Sequence, residues 1–462
     1  MQRDYLGNPV SGSDPATLHM LDEFTEGFLA YETRAERILE TAQSDPASCM
    51  ANVYAGMLWM LLEARAAPMR ARKYLHAAER LAASATHREQ LNAAVLRAWV
   101  DDDMPLTLRL CDQVSDEFPR DLVIVKIHQY LEFNRGNAPA MLRVALKVSS
   151  AAADVPYVHG MSAFGYEQCH LLEEAQTEAR RALGMRHKEP WAQHALAHVL
   201  LTRGRIDEGA QFLEGLRETW TGLNSFMLTH LWWHLALFYI SQGRDGEALQ
   251  AFDRRCWGVA KTYSQDQVGA VSLLARLELA GIDVGPRWAD VADHLEERVA
   301  DTLQPFLTLQ YLYGLARAGR PQAALLLEAV REFAKSAPHH SRRAWQEVAL
   351  PAAEGLYAYA HSDNERARTS LALAMPRLAE IGGSHAQRDL FEQIFVDATL
   401  QCGHLSEAQQ MLELRRKSDP LGVPLNMALA SVYGRLGLPS LGSQALARAA
   451  DTRSRHVNGH AA

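Results

Sequence analysis

Four histidines stand in two pairs of equal spacing: His194 and His198 in Trp191-Ala192-Gln193-His194-Ala195-Leu196-Ala197-His198, and His230 and His234 in His230-Leu231-Trp232-Trp233-His234. Four residues are about one helical turn, so on a helix each pair shares a face. Imidazole titrates near neutrality and carries a free lone pair when neutral. Such a face can therefore act as general acid or base or hold a metal ion. The neighbouring tryptophans would add the aromatic walls usual in small-molecule sites. Zinc needs three or four ligands and a second shell, and the His-Glu-x-x-His signature of metalloproteases is absent. The sequence thus requires no cofactor and leaves a His-bound divalent ion as one open chemistry. The competing reading is structural, with histidine and tryptophan simply filling packing positions.

The elements that hold these residues are helices. Nearly every segment has apolar period 3.6 and is rich in alanine, leucine, arginine and glutamate. Val123-Ile124-Val125 is the best strand candidate, but it lies within a helical pattern. Gly204-Arg205-Ile206-Asp207-Glu208-Gly209 reads as a turn. If Gly204 is position 15 of a 34-residue unit, the unit begins at Pro190. Stepping back by 34 gives units at Pro156, Leu122 and Arg88, each with a turn where the phase requires one. Further turns at Gly243, Gly319, Gly403 and Gly437 start units at Thr229, Pro305, Asp389 and Val423. Extra residues near 223–229, 263–304 and 335–389 predict long loops or atypical helix pairs. This is the tetratricopeptide pattern. The expected fold is all-α, a right-handed superhelical solenoid of antiparallel helix pairs, in which stacking supplies the core no single pair can form.

The expected organisation is an N-terminal helical region over 1–87, regular repeats with a His/Trp-rich concave face over 88–263, looser repeats closing the superhelix over 264–450, and a flexible tail over 451–462. Asp14-Pro15 reads as a helix start, with the helix running from about Ala16 to Gln43, and Asp45-Pro46 as the next start.

In tetratricopeptide units the first helix lines the concave surface through positions 2, 5, 9, 12 and 13. That convention turns Trp191, His194 and His198 into the groove. It does the same for Tyr157, Gly160, Phe164, Glu167 and Gln168 of the preceding unit, and for His230, Trp233 and Leu237 of the following one. His234 lies beside Trp233 at position 6. With first helices roughly 10 Å apart, these residues converge. Far along the chain, Gly382-Gly383-Ser384-His385-Ala386-Gln387-Arg388-Asp389 predicts a helix stop followed by a Ser384-capped start. His385, Arg388 or Asp389, and Glu392 then share a face. That face reads either as a capped helix with local ion pairs or as the far wall of the same site.

Bulk properties narrow the function classes. The chain has 462 residues, 48% hydrophobic and 22% charged, too long for one core unless repetitive, and not disordered in composition. A net charge of −8 gives no electrostatic footprint for nucleic acid or an anionic membrane. Five dispersed cysteines without a Cys-x-x-Cys pair argue against a disulfide framework and for a reducing, cytoplasmic setting. No signal peptide or membrane-length apolar run is visible. P-loop, dinucleotide-binding, nucleophile-elbow and EF-hand signatures are absent.

Several motifs together resemble the tetratricopeptide repeat protein 38 family. They are Trp191-Ala192-x-His194-Ala195-x-Ala197-His198-Val199, Trp220…His230-x-Trp232-Trp233-His234-Leu235-Ala236-Leu237, Gly382–Asp389, Asp4-x-x-Gly7 and Met161-x-Ala163-Phe164-x-x-Glu167. The resemblance spans nearly the whole chain. It implies the repeat fold and no particular reaction. The family tends to place Asp-x-His after Pro-Phe, where this chain has Thr308 and Gln310 after Pro305-Phe306, so the resemblance is to a divergent member.

The leading expectation is a helical-repeat protein that binds a small molecule or peptide end in its concave groove. Trp191, Trp233, Tyr157, Phe164 and His234 would form the walls. An enzyme is the second expectation, with His194, His198 and His230 as acid, base or ligand groups and Glu167, His385 and Asp389 as weaker partners. A protein–protein scaffold is the third, resting on fold-level analogy.

Overall fold

The turns placed by the 34-residue phase share one backbone device. In the computed structural model, which describes residues 2–12 and 14–458, position 15 has positive φ in all eight units: Asp102, Gly136, His170, Gly204, Gly243, Gly319, Gly403 and Gly437. At Gly204 the helix end closes as Gly204 N–H donates to Leu201 O (3.0 Å) and Arg205 N–H to Leu200 O (2.9 Å). These bonds satisfy carbonyls that the helix end would otherwise leave bare. First helices begin on the phased residue at Leu122–Asn134, Pro156–Gln168, Pro190–Thr202, Pro305–Arg317 and Val423–Arg435. His87–Val100 begins one residue early. Ser225–Gln242 and His385–Gln401 begin four residues early.

The fold is all-α, built of antiparallel helix pairs in sequence. Second helices are amphipathic: Leu172–Met185 buries Ala175, Ala179 and Ala182, one stripe at helical spacing. First helices are buried almost all round, as along Pro305–Arg317, because neighbours cover both faces. The stretches with extra residues hold atypical pairs, Ser264–Leu279 with Arg287–Asp293 and Leu350–Ala360 with Asn364–Ala374. Val123-Ile124-Val125 is helical. Among the described residues no helix is long and apolar enough to cross a membrane.

The chain divides into two compact units. The first takes residues up to Leu196 together with Trp220–Asn224, and the second takes Ala197–Thr219 and Ser225 onward. In the first unit, the helix expected over Ala16–Gln43 is broken. Pro15–Leu29 ends before Tyr31, which has φ +57°, and a 3-10 turn at Thr33–Arg37 leads into Ile38–Ser44. The break lets residues 31–33 pair with the 220–224 strap: Asn224 N–H donates to Tyr31 O (2.7 Å) and Thr33 N–H to Gly222 O (3.0 Å). The next helix starts at Cys49 rather than after Asp45-Pro46, because the Ser48 side chain caps it by accepting from Ala51 N–H.

A two-stranded hairpin, Gln2–Arg3 with Pro9–Val10, was not legible in the periodicity. Side chains hold it in place. Asp4 Oδ1 accepts from Leu6 and Asn8 N–H, and buried Arg88 pairs with Asp4 (3.0 Å) and Asp121 (2.7 Å).

In the second unit the last helices return to the first. Ser241 Oγ donates to Asp419 Oδ1 (2.9 Å), and His456 meets Asp207 at 3.2 Å. Gly204 packs so closely on the 418–420 loop that a Cβ there would lie 2.6 Å from Ser418 O. The expected tail is helical as far as Asn458, within Pro439–Asn458, and is pinned by Thr452 Oγ1 donating to Leu421 O (3.0 Å). Its residues 459–462 lie outside the described residues.

Candidate functional site

Residues of the second unit bring three of the four paired histidines together. His198 comes from the end of the Pro190 helix that lies in that unit. His230 and His234, one turn apart, come from the Ser225 helix. Each offers a ring nitrogen, and these nitrogens lie within 4.8 Å of one another. The His198 and His234 ring centroids are 4.5 Å apart, and those of His230 and His234 are 4.7 Å apart with the rings nearly perpendicular. His198 and His234 have no exposed surface and His230 is 9% exposed, so the phased direction leads into a buried interior rather than an open groove. Burial, followed by the neighbouring His198, pushes the His230 imidazole down to about 3. It is therefore neutral at ordinary pH, the form that accepts a proton or a metal.

Trp233 stacks on His230 (5.3 Å, 9°) and meets His234 edge-on (4.8 Å). Its indole N–H is buried and has no acceptor among the described residues. Over its ring, at 5.2 Å, lies the guanidinium of Arg276, from the Ser264 helix. Arg276 is 3% exposed. Nη1 donates to Ser272 O (3.2 Å) and Oγ (2.5 Å), and Nη2 donates to Ala386 O (2.7 Å) and Gln387 O (3.3 Å). Every acceptor is neutral, and no carboxylate lies within ion-pair distance of it among the described residues. Burial pulls the Arg276 guanidinium down to about 10, opposed by the more distant Asp389 carboxylate and reinforced by Arg415.

The His385 helix forms the wall opposite. Its N-terminus carries the expected cap, elaborated into a reciprocal Ser384–Gln387 capping box. His385 meets His198 edge-on with centroids 5.4 Å apart. Asp389 accepts from Arg415 Nη1 (2.6 Å) and Gln393 Nε2 (2.6 Å). Burial works to raise its carboxyl, but Arg415 outweighs burial and holds it down to about 2. Asp389 is thus an ionised partner of Arg415, a structural ion pair on the side of the helix where a polar face was expected.

The remaining expected residues sit in the first unit. Trp191 stacks on His194 (4.5 Å) and lies 4.6 Å from Phe164 and 5.2 Å from Tyr31. Tyr157 is buried in the apolar core with Val158 and Met161. Glu167 is buried and accepts from Gln168 Nε2 at 2.6 Å. Gly160 leaves room for Glu189: a Cβ there would lie 2.9 Å from Glu189 Oε2.

Of three further groups, sequence reasoning missed Lys126 and a groove, and singled out Gln310 only as a departure from the family pattern. Lys126 is buried, with Nζ donating to Phe28 O (2.7 Å) and Leu29 O (2.9 Å) and lying 3.3 Å from the Tyr31 ring centroid. A lone lysine in the apolar run Leu122–Ile127 was the signal. Gln310, fully buried, has no hydrogen-bond partner for either amide atom among the described residues. By contrast, Thr308 Oγ1 donates to Asp301 O (2.9 Å) and Gln304 O (2.8 Å), fixing the entry to its helix. Gln310 shares a helix face with Phe306, which packs against Phe391 and Gly383. The third group is an open groove of about 730 Å³ in the second unit, lined by Tyr313, Arg317, Tyr359 and Asp397. Tyr313 and Arg317 occupy positions 9 and 13 of the Pro305 unit, so the groove convention pointed there as well. Its polar groups are paired internally: Tyr359 Oη donates to Asp397 (2.7 Å) and Arg317 to Glu278 (2.9 Å).

No known protein-family model matches the chain. Among solved structures, a human IFIT1 dimer with PPP-AAAA is similar at 14% identity and TM-score 0.42, over 96% of this chain and 95% of that one. The TPR domain of P58(IPK) is similar at 12% identity and TM-score 0.23, over 79% and 93%. Naa15/Naa10 bound to HypK-THB is similar at 13% identity and TM-score 0.25, over 94% and 68%.

Proposed function

We propose that this helical-repeat protein binds a small molecule or peptide end through an anionic group, in the interior of its second unit. The observation that carries this reading is Arg276, a buried guanidinium whose hydrogen bonds all go to neutral acceptors. A buried cation of this kind favours an anion, carboxylate or phosphate, that completes its charge. Two further buried polar groups support the reading: the Trp233 N–H and the Gln310 carboxamide, each lacking a partner among the described residues. His198, His230 and His234 would line the same interior with Trp233, and His385 would close it.

The motifs shared with the tetratricopeptide repeat protein 38 family support placing the chain there as a divergent member. On that reading, Gln310 replaces a titratable family histidine with a neutral carboxamide and alters the ligand contacts. Deep burial of the concave histidines weighs against a pure protein–protein scaffold, which needs them on an open face.

The test is titration of the full chain with acetate, succinate and inorganic phosphate, followed by tryptophan fluorescence and thermal shift. Carboxylate and phosphate arms separate the two anion classes. Saturable binding of one class should weaken by about 30-fold or more in Arg276→Met, roughly the 2 kcal/mol of a lost buried charge contact. If no anion binds saturably, or if Arg276→Met binds as wild type does, the reading is wrong.

A further inference from the structure

We propose that His198, His230 and His234 form a binding site for a divalent transition-metal ion of the zinc type. The inference stands apart from the anion-binding reading: it rests on the three imidazoles alone.

The geometry supports it in three ways. First, His230 and His234 project from one helix face at i and i+4, the spacing at which a helix chelates zinc with two histidines. His198 adds a third nitrogen from another helix, so the donors are not collinear, and a metal could sit between two helices and tie them together. Second, the nitrogens lie within 4.8 Å of one another. In a tetrahedral zinc site with Zn–N near 2.0–2.1 Å, ligand nitrogens are about 3.3 Å apart. Binding an ion would draw the three in toward that spacing. Third, the three imidazoles are shielded from water, with no exposed surface at His198 and His234 and 9% at His230, so a bound ion would be held away from bulk solvent.

The donor chemistry selects the ion. Three imidazoles and no thiolate suit Zn2+, Co2+, Ni2+ or Cu2+ rather than Ca2+ or Mg2+, which take oxygen ligands. His385 meets His198 edge-on and is placed to orient its ring. Trp233, stacked on His230 and edge-on to His234, restricts the rotamers of both rings.

The test uses the full chain, stripped with chelator and dialysed into metal-free buffer. Co2+ is titrated in and followed by its visible d–d absorption, and zinc retained after gel filtration is counted by mass spectrometry. Wild type should take up one Co2+ per chain with the intense absorption of a four-coordinate ion, and added Zn2+ should displace it. His230→Ala and His234→Ala should each weaken binding about 100-fold or more, beyond the range of outer-shell changes. The exposed His87→Ala should bind as wild type does. Helical circular dichroism checks each variant, and any alanine variant that loses it is replaced by His→Gln at the same position. If wild type shows no stoichiometric Co2+ or Zn2+ binding, or if folded variants at positions 230 and 234 bind unchanged, the site does not exist. Loss of anion binding in Arg276→Met with Co2+ uptake intact would show that the two readings are separable.

Discussion

The guanidinium of Arg276 lies over the indole of Trp233, 5.2 Å from its ring centroid, while its Nη2 donates to the backbone carbonyl of Ala386. One side chain thereby ties the Ser264 helix to the histidine-bearing helix on one side and to the start of the His385 helix on the other. Arg276→Met keeps the packing of the stem but strips the donors from Ala386 O and Gln387 O. The unfolding free energy should drop by about 1–3 kcal/mol, the worth of charge-assisted hydrogen bonds lost in a buried setting. Arg276→Lys should recover only part of this, because an ammonium lacks the planar fork that reaches both carbonyls and Ser272. Urea denaturation of the three proteins checks both statements, and equal stability of Met and Lys variants would refute the bridging role.

Gly204 and Gly319 occupy the same position of their repeat units and have nearly the same positive φ, +67° and +68°. Their surroundings differ. A Cβ on Gly319 meets nothing within 4 Å, whereas one on Gly204 would lie 2.6 Å from Ser418 O, backbone of the returning 418–420 loop. Gly319→Ala should therefore lose only the left-handed penalty, about 1–2 kcal/mol. Gly204→Ala should lose that and more, with the excess reporting how tightly the end of the second unit packs on its start. Chemical denaturation of both variants measures the excess directly, and equal losses would mean that the contact at Ser418 is soft.

These turns also mark what the sequence could reveal. The 34-residue phase stepped back from Gly204 placed positive-φ residues at His170, Gly136 and Asp102, two of them where no glycine marks the bend, and the turns read directly at Gly243, Gly319, Gly403 and Gly437 have positive φ as well. That success is physical: the left-handed residue and the following helix start are local chemistry repeated along the chain. The His230–His234 pairing was equally legible, since spacing on one helix needs no tertiary information. Three features were not. The break at Tyr31 depends on pairing with residues 222–224, nearly two hundred positions away. The Asp4 hairpin depends on buried Arg88. The burial of the histidines depends on the His385 helix lying against the Ser264 helix through Arg276, which no periodicity encodes.

His128, 1% exposed in the first unit, gives a pH signature separate from the histidine cluster. Burial pushes its imidazole down to about 4, with Arg143, Lys147 and Arg135 adding to the shift and Asp112 opposing it. The native ring stays neutral where an unfolded one, titrating near 6.5, takes up a proton. Its contribution is therefore present above pH 6.5 and is lost as pH falls toward 4. From pH 7 to pH 5 the loss is roughly 2 kcal/mol. His128→Gln should remove that much of the acid slope in urea unfolding, and an unchanged slope would show that His128 is protonated in the native protein.

Glu189 works in the opposite direction. It is 1% exposed, one carboxyl oxygen accepts from Ala192 N–H, and Oε1 has no partner among the described residues. Burial raises the carboxyl to about 7, against the opposing pull of Ala192 N–H, Lys126 and Arg186. The native state therefore favours the protonated acid, while the unfolded chain ionises near 4.5. Stability from this group is complete below pH 4.5 and is lost as pH rises through 7. Between pH 5 and pH 8 the loss is roughly 2.5 kcal/mol. Glu189→Gln, neutral at both pH values, should abolish this alkaline slope, so its stability advantage over wild type should be larger at pH 8 than at pH 5. Lys126→Met removes a cation that favours the ionised carboxylate, so it should steepen the same slope. Urea unfolding of the three proteins across this range distinguishes the outcomes. Parallel profiles for wild type and Glu189→Gln would mean that Glu189 is already ionised at pH 5, with its charge met by Lys126.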